Sequence, residues 1–146
     1  MSERCSECGA LLPEGSTCQS IFDEFLSLEF TNSEYGKVHY LTVTCFMLQH
    51  GRYSDEAFIW ARSTLRAYLD EQLTAQQIRQ RAANKTDNAI RTWKVSRPAD
   101  APPLPKVAWS MTIADVASSM QSPERYCAQI EKWAQATLPQ AEDVQL

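Results

Sequence analysis

The sequence predicts an all-α fold: a single-domain bundle of about five to six helices, with a turn-rich knuckle at its N-terminus and a long proline-rich loop. Three observations predict it. Helix-start signals recur along the chain, with Ser or Thr set three residues before a longer polar side chain or directly before acidic residues. The segments behind those signals gather their large apolar residues on one helical face. Between the N-terminal knuckle and the C-terminal tail, only the interval 84–111 lacks a helical period.

The first fifteen residues hold Cys5-Ser6-Glu7-Cys8-Gly9, then Leu11, Leu12, Pro13 and Gly15, which reads as turns. Ser16 and Gln19 have capping-box spacing, so a helix is expected to start near Thr17. Its apolar face is Ile21, Phe22, Phe25, Leu26 and Leu28, opposite Asp23 and Glu24. Thr31 and Glu34 form a second box, and a second helix is expected from about Asn32 to Gln49. That segment is apolar on nearly every side, which places it at the centre of the fold.

Gly51 stops the second helix. Ser54 caps a third, with Asp55 and Glu56 in its first turn and a stripe of Phe58, Ala61, Leu65, Tyr68 and Leu69. Thr74 and Gln77 open a short fourth helix to about Ala83. Residues 84–111 contain Arg97-Pro98 and Pro102-Pro103-Leu104-Pro105, which favour extended chain. Trp93, Val95, Val107 and Trp109 leave room for two short strands. A connection this long is often functional. Thr112 with Asp115 starts a short helix through Ser118. Ser122-Pro123-Glu124 opens the last, lined by Tyr126, Ile130, Trp133, Ala134 and Leu138. The domain is expected to span 1–138, with a flexible tail over 139–146.

The chain has 146 residues, 44% of them hydrophobic and 22% charged, with a net charge of −4. These values fit one globular core and give no global basic field for nucleic acid. Met1 is followed by Ser, Glu, Arg and Cys, which reads as no signal peptide, and no run approaches a membrane span. A soluble cytoplasmic protein is expected. In that compartment five cysteines mean free thiols or metal ligands more often than disulfides.

Cys5-x-x-Cys8-Gly9 is the strongest chemical signal. This spacing can aim two sulfurs at one ion, and the glycine permits φ > 0 so that backbone N–H groups turn toward the thiolates. The rival reading is a redox pair, but no βαβ pattern surrounds it. A tetrahedral site needs two more ligands, from Cys18, Cys45, Cys127, His39 and His50. His39 and His50 would lie about 16 Å apart on one helix at ~1.5 Å per residue, so one ion does not hold both. The first two helices, joined by a short turn, must be antiparallel neighbours. Cys18 in the first turn of one is then level with the Val43–His50 end of the other. The expected ligands are Cys5, Cys8, Cys18 and His50, with Cys45 one turn earlier as the alternative and zinc as the ion. Cys45 and Cys127 otherwise read as packing residues, and His39 as a satisfied core histidine.

Cys5-x-x-Cys8-Gly9, Cys18, Tyr35-x-x-Val38-His39-x-Leu41-Thr42-Val43 and Gln49-His50 together resemble an uncharacterised bacterial family catalogued as domain of unknown function 5946. The similarity extends to Trp109-x-Met111-Thr112-x-x-Asp115-Val116 and to Trp133-Ala134, nearly the whole chain. The resemblance implies a metal-binding soluble protein with cysteines at positions 5, 8 and 18 and histidines at 39 and 50. It weakens Cys45 as a ligand and gives His39 a role beyond filling space. It carries no activity.

Four mostly thiolate ligands make a closed site, which stabilises structure and does not activate water. The expected function is a zinc-stabilised binding or adaptor protein, not an enzyme, with a protein partner at the proline-rich loop. One alternative is an enzyme with a pocket near His39, Trp93 and Trp109, where His39 is the sole catalytic candidate. Another is nucleic-acid binding by segment 62–97, where eight basic residues face three acidic ones and Trp93 can stack on a base.

Overall fold

A computed structural model describes residues 3–74, 76–78, 80 and 95–146. The architecture is helical, with one two-stranded ribbon. β1 (Glu3–Arg4) and β2 (Leu11–Leu12) are antiparallel, with Glu3 opposite Leu12 and Arg4 opposite Leu11, and they close the knuckle between them.

Helix α1 runs Cys18–Thr31. Its cap is one residue later than the spacing of Ser16 and Gln19 suggests. Thr17 accepts from the Ser20 N–H, and the Ser20 hydroxyl accepts from the Thr17 N–H, both at 2.9 Å. Cys18, Ile21 and Phe25 form its buried edge.

The second helix is not continuous from Asn32. Asn32 is extended (φ −152°); its N–H closes α1 on the Leu28 carbonyl while its side chain accepts from the Glu34 N–H. It therefore opens a 3₁₀ segment, Ser33–Val38, and α2 begins only at His39 and ends at Gln49. Gly36 inside that segment disfavours the α form. Tyr35 and Val38 bury themselves from the 3₁₀ turns. Helix α2 is central as expected, with Leu41, Thr42, Cys45, Phe46 and Leu48 all buried. Gly51 (φ +60°) then turns the chain with a conformation that a side chain would strain.

Helix α3 (Asp55–Glu71) is capped by Ser54, which accepts from the Ala57 N–H at 3.2 Å. Thr74 and Gln77 exchange the two bonds of a capping box, so the next helical turn starts where expected. Its extent to Ala83, the loop residues 84–94 and Trp93 lie outside the described residues. From 95 to 111 the chain is irregular, with a single bridge between Tyr53 and Ser96 and no strand pair. Thr112 donates its N–H to Asp115 at 2.8 Å and starts α4 (Ile113–Ala117). Ser122 caps α5 (Pro123–Glu142).

Helices α2, α3 and α4 and the 3₁₀ segment pack on α5, whose Tyr126, Ile130, Trp133, Ala134 and Leu138 are fully or almost fully buried, and α1 packs on α4 and the 3₁₀ segment. Tyr126 receives the edge of Phe25 at 5.2 Å, a contact worth about 1 kcal/mol beyond the area it removes from water. A flexible tail from Pro139 is not observed: α5 passes through Pro139, which sits in its final turns. Ala141 and Val144 are buried, and Arg62 donates to both of their carbonyls at 3.0 Å. Among the described residues no helix is long and apolar enough to cross a membrane.

Candidate metal centre

The knuckle is shaped by its own backbone. The Cys5 N–H donates to the Ala10 carbonyl at 2.8 Å and the Gly9 N–H to the Cys5 carbonyl at 3.0 Å. Gly9 sits at φ +80°, the conformation the sequence reserves for glycine there. The N–H groups of Glu7 and Cys8 point at the Cys5 sulfur at 3.4 and 3.5 Å.

Helix α1 supplies Cys18 from its first turn, and the end of α2 supplies His50. Because the two helices run antiparallel, these ends meet over the knuckle. The ligand atoms of Cys5, Cys8, Cys18 and His50 all lie within 4.8 Å of one another. Cys8, Cys18 and His50 are buried; Cys5 is partly exposed. The sulfurs of Cys8 and Cys18 are 3.6 Å apart, and all five cysteines are unpaired. No other such cluster occurs among the described residues.

His50 is held through Nδ1 and through the face of its ring. Its Nδ1 is 2.8 Å from the Phe46 carbonyl, one turn back. A carbonyl only accepts, so Nδ1 carries the proton and Nε2 keeps its lone pair. The ring stacks on Phe46 with centroids 4.3 Å apart, and Phe46 stacks on Phe22 at 4.2 Å. Nε2 is buried without a hydrogen-bond partner. A fixed ring with one nitrogen on a backbone carbonyl and the other free among sulfurs is the arrangement of a ligating imidazole.

The electrostatics agree. The Cys18 hydrogen bond lowers the Cys8 thiol to about 4 against the opposing effect of burial, and His50 adds to the lowering. The same bond, with burial, drives Cys18 far above the ordinary thiol range. Burial is the largest influence on His50 and disfavours its charged form, but the neighbouring Cys8 and Cys5 sulfurs and the Phe46 carbonyl together outweigh it and the imidazole is raised. One thiolate, Cys8, thus shares a proton with Cys18 beside the His50 imidazole, and a cation can take the place of that proton. These four side chains can hold one metal ion.

Neighbouring side chains tie the knuckle down, and no local pattern in the sequence marks them. Arg52 pairs with Glu7 at 3.1 Å, and Lys106 from the long loop donates to the Ser6 carbonyl.

The remaining candidates lie elsewhere. Cys45 is fully buried, and burial raises its thiol to about 12 despite a hydrogen bond with Thr137. Cys127 faces the Glu34 carbonyl at 3.5 Å. His39 is neither a core residue nor near the cluster. The break at Val38 puts it in the first turn of α2, exposed, with Nδ1 2.9 Å from Glu29. Of the pocket expected near His39, Trp93 and Trp109, Trp93 lies outside the described residues, and Trp109 borders a cavity whose histidine is His50 and not His39. Of the basic segment, Arg79, Arg81, Lys85, Arg91 and Lys94 lie outside the described residues. The three described members are engaged within the fold: Arg62 on the C-terminal carbonyls, Arg66 on Glu142 and Arg97 on Asp55.

No curated protein and no solved structure matches the chain. A family model does, over residues 3–142, and so takes in the knuckle and every helix from α1 to the end of α5; its description is a family of unknown function (DUF5946), and the chain belongs to that family.

Proposed function

We propose that the protein is a zinc protein whose ion, held by Cys5, Cys8, Cys18 and His50, is structural, and that it serves as a binding module and not as an enzyme. The observation that carries this reading is the buried, unpartnered Nε2 of His50 among three sulfurs that all lie within 4.8 Å. Zinc suits the donor set: three soft thiolates and one imidazole. Tetrahedral bonds of about 2.3 Å to sulfur imply a sulfur–sulfur edge of about 3.8 Å, close to the 3.6 Å between Cys8 and Cys18. Four protein ligands leave no open position for water, which speaks for structure over hydrolysis. The knuckle buries little apolar surface of its own, since only Cys8, Ala10 and Leu12 are buried in residues 3–15. Five unpaired cysteines favour a reducing compartment such as the cytoplasm.

The test is elemental analysis of the purified protein beside Cys18→Ala, followed by cobalt substitution. One zinc per chain, lost in the variant, with the cobalt spectrum of a tetrahedral three-sulfur site, is the expected result. Equal metal in both proteins, or none in either, overturns the assignment.

A further inference from the structure

A cavity of about 160 Å³ lies against the end of α2, with His50 in its wall. Leu48, Phe58, Leu104 and Trp109 give it apolar sides, and Glu7 and Lys106 also line it. Gln49 also borders it and is only 3% exposed. The Gln49 Nε2 donates to the Met111 carbonyl at 2.8 Å and to the Thr137 hydroxyl at 3.0 Å. The carbonyl partner fixes which end of the carboxamide is nitrogen. Oε1 is left buried with no hydrogen-bond partner among the described residues. Unsatisfied buried acceptors are uncommon and costly. The free nitrogen of His50 has the metal to account for it; the oxygen of Gln49 has no such partner.

We infer that this cavity binds a small single-ring aromatic compound carrying one hydrogen-bond donor, with Gln49 Oε1 as the acceptor. A cavity of about 150 Å³ lined by aliphatic and aromatic side chains is large enough for one benzene ring. Phe58 and Trp109 offer ring faces and edges to such a guest. One wall is the irregular segment carrying Leu104, so entry displaces loop and not helix. The inference does not depend on an ion at the thiolates.

The experiment titrates the full-length purified protein with phenol and reads the Trp109 indole and Gln49 carboxamide resonances. Saturable shifts at millimolar phenol are expected, with toluene, which has the same ring and no donor, binding about tenfold more weakly. Leu104→Trp fills the cavity and abolishes the shifts; Val107→Phe serves if that variant does not fold. Absence of saturable binding, or binding unchanged in the filled variant, overturns the site. Toluene binding as tightly as phenol overturns the role of Gln49. Zinc is measured in every sample, so the outcome is read independently of the metal assignment.

Discussion

The Nδ1 of His50 lies 2.8 Å from the carbonyl oxygen of Phe46, a residue whose ring also stacks on the imidazole at 4.3 Å. One residue thus sets both the tautomer and the plane of its neighbour one turn on. A helix end normally leaves its last carbonyls without partners. Here the Phe46 carbonyl takes up His50 twice, through the backbone N–H at 3.1 Å and the ring. Termination of α2 and orientation of the imidazole are the same event.

That coupling predicts two separable losses. His50→Ala removes a ligand and is expected to weaken zinc binding by more than the 10- to 100-fold that loss of an outer partner costs. Phe46→Leu keeps the carbonyl and the ligand but removes the stack. It is expected to fall within about that 10- to 100-fold range, with some loss of stability from the smaller side chain. Competition titration with a chromophoric chelator measures both.

Metal removal should act first on the N-terminal arm. A bound ion at 1,000 times its dissociation constant adds about 4 kcal/mol to folding. Chelation is therefore expected to lower the thermal midpoint by roughly 10 °C for a chain of this size. Hydrogen exchange should accelerate at the amides of Cys5, Glu7, Cys8 and Gly9 before it does in α5. Identical midpoints with and without chelator would remove the structural role.

Much of this arrangement is legible in the sequence because its signals are local. Ser54, Ser122 and the pairs Thr112/Asp115 and Thr74/Gln77 each announce a helix start through bonds made within four residues. The nearness of Cys18 and His50 follows from one further step, that two helices with a short connection run antiparallel. What escaped depends on competition between similar local choices or on distant contacts. Thr17 wins over Ser16 as cap because the Ser20 hydroxyl can return the bond as well as a longer side chain can. The 3₁₀ segment and an α-helix begin with the same Asn and Ser signals, and only the fold decides between them. Pro139 reads locally as a stop, but Ala141 and Val144 gain burial by continuing. The Glu29 partner of His39 is ten residues away and on another helix.

Alkaline pH should destabilise the fold. Burial raises Cys45 from 9.0 to about 12 and Tyr53 from 10.0 to about 12, and raises Tyr40 and Tyr126 as well. In each case the folded state holds its proton more tightly than the unfolded chain. Stability is thus whole below about pH 9 and falls as pH rises from there toward 12. Urea midpoints between pH 8 and 11 test this. Cys45→Ala removes one of the thiol contributions that set in from about pH 9, beside those of Cys18 and Cys127, so its decline between about pH 9 and 10 should be shallower. Alkylation should also leave Cys45 unmodified in the native protein while Cys127 reacts.

His39 should be dispensable for the metal and for stability. It is half exposed and its one ion pair is with Glu29 at the surface. Exposed pairs contribute up to about 1 kcal/mol. His39→Ala is expected to keep full zinc content and to shift the midpoint by no more than a few degrees. Loss of zinc in this variant would assign it a role that its position does not suggest.

The C-terminal eight residues should behave as core and not as tail. Arg62 spans from α3 to donate to the Ala141 and Val144 carbonyls, while its guanidinium lies 5.6 Å from the Phe58 ring centroid. Arg66 adds a two-pronged contact to the Glu142 carboxylate. Truncation after Leu138 removes the buried side chains of Ala141 and Val144 and leaves Arg62 without its acceptors. Burial of the valine is worth about 2 kcal/mol, and loss of a hydrogen bond to a charged donor about 1.5 to 3 kcal/mol. The truncated chain is therefore expected to lose about 3 to 5 kcal/mol, read as a lower urea midpoint. Arg62→Leu should lose a smaller part of the same amount, because it keeps apolar contact with Phe58 while losing both bonds. A truncation that melts with the full-length protein would return residues 139–146 to the status of a free tail.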